Sequence, residues 1–89
     1  TALMRALGLA YHWQRLLDDG RFASITEIAA AEGIDRGQAS KIAQLARVAP
    51  DIVDACATGR APHLTLQSLA RSAVPAMWDA QRAQYGPIA

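Results

Sequence analysis

The chain is short of most of the groups that small proteins use for chemistry. Cys56 is the single cysteine, which excludes a disulfide framework and the paired-cysteine patterns of zinc sites. His12 and His63 stand far apart with no further ligand at metal spacing, so neither a metal nor another cofactor is expected. No apolar run approaches the roughly 18 residues that a membrane span needs, and no signal peptide opens the sequence. A cytoplasmic location without membrane contact is the expectation. A surplus of one charge is lacking too. Nine basic residues against eight acidic ones leave +1, which argues against a non-specific, highly basic architectural protein and assigns any attraction for an anion to a local patch. Cys56 has no histidine at usable spacing. Asp51 and Asp54 have no second chemical group beside them, so they read as a solvated helix edge rather than a catalytic pair. No enzyme is expected. Aromatic residues are few, and much of the hydrophobic content is alanine. That profile, in 89 residues with no linker or repeat, predicts one all-α domain over 1–89, a small bundle of five to six helices.

The informative stretch runs from Ser24 to Val48. Ser24 with Glu27 has the spacing of a capping box, and Ile25, Ile28 and Ala29 then share one helical face. Gly33 stands where a helix stops by adopting positive φ, and Ile34 is expected as an apolar peg inside the turn. Asp35 with Gln38 repeats the cap, and Ala39, Ile42, Ala43 and Ala46 make an i, i+3, i+4, i+7 stripe. Two short helices with about three residues between them read as a helix-turn-helix over about 24–48. At about 100° per residue, the second helix turns Arg36, Gly37, Ser40, Lys41, Gln44 and Arg47 away from its apolar stripe. Arginine pairs with guanine, glutamine with adenine, serine with either, and lysine or arginine with phosphate. An ordinary solvent face alternates Glu with Lys, yet no acid occurs between Asp35 and Asp51. This arc is therefore the candidate face for double-stranded DNA. The first helix of the motif adds its N-terminal amides and the Thr26 hydroxyl as candidate phosphate contacts.

Around the motif, Thr1 to Asp19 reads as one long helix stopped by Gly20, with Leu3, Leu7, Ala10, Trp13 and Leu17 as its main stripe. Met4, Leu9 and Tyr11 widen that stripe beyond half the circumference. Two readings stay open: the other helices wrap it, or a second copy docks on the Leu3–Leu17 helix to make a homodimer. Pro50 opens a helix that ends at Gly59, with Ile52, Val53 and Cys56 inward. After a loop containing His63, Thr65 caps a short helix with Leu66, Leu69 and Ala70 as its apolar side, broken at Val74-Pro75. Residues 76–84 form a last helix packed through Met77, Trp78 and Tyr85, and Gly86-Pro87 ends the ordered part.

The run ITEIAAAEGIDRGQASKIAQLARVAPDIVDACATGRAPHLTLQSLAR resembles the helix-turn-helix region of ParB- and KorB-type partition proteins, where such a motif precedes a proline-initiated helix, a glycine-containing loop and a Leu-Thr-led helix. Closer still, LLDDGRFASITEIAAAEGI, ARVAPDIVDA, GRAP and MWDAQRAQYG make it similar to the C-terminal tail of bacterial and phage-borne serine site-specific recombinases of the resolvase/invertase class. The resemblance implies that Arg36, Gln38, Ser40, Lys41 and Gln44 face DNA, with Thr26 on phosphate. It also implies that the recombinase chemistry belongs to a separate N-terminal domain, so this segment does not cut DNA by itself. The expected function is a DNA-binding module that docks its second motif helix in the major groove, free-standing or part of a recombinase. The alternative is a helical protein-interaction module that has lost DNA binding.

Overall fold

The computed structural model describes residues 1–86, and they are all helical in architecture, with no strand among them. Six α-helices follow in order: α1 (Ala2–Asp18), α2 (Ile25–Glu32), α3 (Arg36–Ala43), α4 (Pro50–Ala57), α5 (Leu66–Ala70) and α6 (Trp78–Tyr85). A single 3₁₀ turn, Gln44–Arg47, joins α3 to α4.

Local chemistry accounts for most of the boundaries. The Thr1 hydroxyl accepts from the Met4 amide at 3.1 Å, opening α1, and Gly20 with φ of 75° follows its end. Thr65 and Ser68 cap each other's backbone amides reciprocally at 2.8 and 3.1 Å, which lets a five-residue α5 form at all. Pro50 occupies the first turn of α4, where its missing N–H is no loss. Thr58 then closes α4, its hydroxyl returning to the Asp54 carbonyl at 2.9 Å.

Two apolar clusters hold these helices together. The larger joins Leu3, Leu7 and Ala10 of α1 to Leu45, Val48, Ile52, Leu69, Val74 and Tyr85. The smaller lies under the motif, where Trp13 fills the space that Ile28, Ala29 and Ala39 leave. Ile42 touches both. Burying each large side chain contributes roughly 1.5–3 kcal/mol, so α1, which packs against α2, α3, α5 and the 3₁₀ turn, is the spine of the domain. Its stripe is thus covered from within the chain at Leu3, Leu7, Ala10 and Trp13, with Leu16 and Leu17 half-buried and Leu9 and Tyr11 left exposed.

Several expectations need correction. The second motif helix is α-helical only to Ala43; the tighter 3₁₀ turn changes the period from 3.6 toward 3, so Ala39, Ile42, Leu45 and Val48 line up inward. Leu45, absent from the i, i+3, i+4, i+7 stripe, is fully buried in consequence. Ile34 is 36% exposed and is no peg inside the turn. The last helix opens at Trp78, not 76, and Met77 and Trp78 are 71% and 50% exposed rather than packed. The inward residues of α6 are Gln81 and Tyr85. Pro87, half of the expected terminator, lies outside the described residues.

Among the described residues Gln81 is the one polar side chain in the buried core, at 0% exposure. Its Oε1 accepts from the Ala49 amide, and its Nε2 donates to the carbonyls of Arg47 and Pro75, all at 2.8 Å. One side chain thereby ties α6 to the end of the 3₁₀ turn and the start of α4. A second tie is ionic. Arg82 forks onto Asp51 with two 3.1 Å contacts and also reaches Asp79 at 3.0 Å. The Arg82 guanidinium, chiefly through that hydrogen bonding, holds the Asp51 carboxyl below its usual 3.8.

Candidate nucleic-acid interface

The interface begins with the turn between α2 and α3. The Ser24 hydroxyl accepts from the Glu27 amide at 3.3 Å to start α2, and Gly33, at φ of 71°, ends it. Non-glycine residues pay strain in that left-handed conformation, so glycine is what allows so short a turn. The Asp35 carboxylate then accepts from the Gln38 amide at 3.1 Å and starts α3. Both caps run one way only: among the described residues, neither the Glu27 nor the Gln38 side chain returns a bond. The Gln38 side chain is therefore not consumed by the cap. Gly37 has its own explanation, because an added Cβ would lie 3.0 Å from Asp35 Oδ2 and crowd the capping carboxylate.

Ala29 and Ala39, both buried, let α2 and α3 approach closely over Trp13. That packing leaves the opposite side of α3 open. Arg36, Gln38, Ser40 and Lys41 are exposed, as is Arg47 at the end of the 3₁₀ turn and Thr26 in the first turn of α2. Gln44 differs from the rest. It is half-buried, and its Oε1 accepts from the Val74 amide at 3.0 Å, tying the turn to the segment after α5.

Ser40 and Gln44 form a ridge between two shallow grooves of about 280 Å3 each. On one side Arg47 faces Gln14, Leu17 and Ile25; on the other Lys41 faces Arg71 and Ser72. Among the described residues, no carboxylate lines either groove. Thr26, Arg36 and Gln38 lie outside both grooves, nearer the start of the motif.

Charge is distributed unevenly over the molecule. Among the described residues, the arginines in ion pairs are Arg60, with Asp54 at 2.6 Å, and Arg82. Both pair with acids of α4 or α6, away from the motif. Arg36, Lys41, Arg47 and Arg71 carry no ion pair among the described residues. The α4 and α6 end thus holds its arginines in ion pairs, whereas the cations along the two grooves stay unpaired among the described residues.

No family model, curated protein or solved structure gives a match to this chain.

Sequence reasoning missed Arg71 and Ser72. A basic residue just after a helix reads as a partner for the helix dipole. Nothing local reveals that the 71–73 segment returns to α3, because the Gln44–Val74 bond that brings it there spans thirty positions. Cys56 is half-buried, and burial pushes its thiol up from the usual range, away from nucleophilic behaviour. His63 Nε2 lies 2.9 Å from the Tyr85 carbonyl, an arrangement that joins the α4–α5 loop to the end of α6.

Proposed function

We propose that this chain is a DNA-binding helix-turn-helix module that inserts α3 into the major groove of double-stranded DNA. The two grooves beside the Ser40–Gln44 ridge, lined by Lys41, Arg47 and Arg71 without an ion pair and by no acid among the described residues, are the observation that carries the reading. Arg36, Gln38 and Ser40 are the residues with reach to base edges; Lys41 and Arg47 serve phosphates, joined by Thr26 at the start of α2. The module works without catalysis of its own, in the cytoplasm, as part of or related to a bacterial or phage-borne site-specific recombinase. This parentage rests on the sequence resemblance alone. Selection from random duplexes tests the reading. An enriched motif supports it, an enriched inverted repeat adds a dimer on two half-sites, and a folded chain that enriches nothing at low salt refutes it.

A homodimer built on α1 would use Leu9 and Tyr11, since the rest of the Leu3–Leu17 stripe is turned inward or half-covered. The alternative, a protein-interaction module indifferent to DNA, draws on the exposed Met77 and Trp78 at the head of α6. Concentration-dependent self-association with no duplex affinity would favour that reading over ours.

A further inference from the structure

Resting on the DNA-binding reading, we infer that the groove between α3 and the 71–73 segment is a clamp for one backbone phosphate of the bound duplex. Lys41 and Arg71 supply the charge, and the Gln44 amide supplies a fixed donor.

The polarity of the groove decides this. Gln44 Oε1 is engaged by the Val74 N–H, a group that only donates, so the amide orientation is settled and its free end is Nε2. Ser72 adds a hydroxyl, whose Oγ accepts from Gln84 Nε2 at 3.0 Å and whose proton can turn to an outside acceptor. Lys41 and Arg71 are donors by nature, both exposed and both without an ion pair among the described residues. What remains is a pocket that offers hydrogens and positive charge. A bidentate adenine contact needs an amide to give one hydrogen and accept another, and Gln44, with its oxygen turned to Val74, is unsuited to it. A phosphodiester oxygen pair accepts from every group present. The position agrees, because the sugar-phosphate strands flank a helix lying in the major groove.

The contact is therefore independent of sequence, and it revises the role expected for Gln44 from base reader to backbone anchor. The experiment is anisotropy of a fluorescein-labelled, mixed-sequence duplex titrated with the 89-residue chain, repeated as salt is raised from about 50 to 200 mM. Arg71→Ala should reduce the slope of log affinity against log salt by about 0.9, which amounts to about eightfold weaker binding at 0.1 M salt. Lys41→Ala should do the same. Gln44→Glu keeps an acceptor for Val74 but sets a carboxylate in the groove, and should weaken binding more than either. Circular dichroism checks that each variant is folded.

An unchanged salt slope in Arg71→Ala, while Arg36→Ala still weakens binding, overturns the clamp and leaves the DNA-binding reading intact. A loss in Arg71→Ala confined to duplexes with one particular base also overturns it, since the groove then reads a base edge. Failure of the unmodified chain to bind any duplex removes both.

Discussion

Replacing Gln81 by methionine tests the fold at its least hydrophobic point. Methionine has nearly the same length and fills the same space, so the packing loss is small. The hydrogen-bond loss is not. The Ala49 amide is fully buried and would have no partner, a penalty of about 2 kcal/mol. The Arg47 and Pro75 carbonyls are part-buried and can regain water, adding roughly 0.5 kcal/mol each. The sum, about 3 kcal/mol, lowers the melting temperature by about 12–24 °C in a domain of this size. Thermal unfolding followed by circular dichroism measures it, with a urea titration to separate stability from a change in the slope. A shift within about 0.5 kcal/mol of the unmodified chain would refute the assignment of Gln81 as an internal strut.

Other perturbations give smaller, more local effects. Asp35→Ala removes the α3 cap and should cost about 1 kcal/mol in urea unfolding, with weaker duplex binding as the start of α3 frays. Gly33→Ala should cost about 1–2 kcal/mol; an added Cβ meets nothing within 4 Å, so the whole effect is backbone strain at φ of 71° and no repacking relieves it. Asp51 titrates below 3.8 in the folded chain because of Arg82, so its contribution to stability is full above that value and is lost as pH falls through the lower folded pKa. Urea midpoints measured down the acid limb should therefore fall less steeply in Arg82→Ala than in the unmodified chain, and coincident limbs would contradict the pairing.

The parts of this structure that the sequence announces are those with local causes. Thr1, Ser24, Asp35, Pro50 and Thr65 each open a helix by satisfying or dispensing with an amide a few residues away, and Gly20, Gly33 and Gly59 each follow one with positive φ. The exposed arc of α3 is equally local, since it is set by the stripe behind it. Where distant residues intervene, the periodic reading fails. The 3₁₀ turn is held by Gln81 on the Arg47 carbonyl and by Val74 on the Gln44 side chain, and it drives Leu45 into the core. Hydrophobicity likewise misplaces the head of α6. Met77 and Trp78 have the larger apolar surface, but α6 faces inward through Gln81 and Tyr85, four residues apart on one face. The Gln81 anchor of that helix is polar, and no hydropathy pattern reports it.

The proposal that α3 is the contact surface is tested most directly by amide chemical-shift mapping of the labelled chain as duplex DNA is added. The expected result is that the largest perturbations fall on α3 and the 3₁₀ turn, with a second group at the start of α2 and at 71–73, while amides around Leu9 and Trp78 stay still. Perturbations centred on Met77 and Trp78, or none at all in a folded sample at low salt, would contradict it.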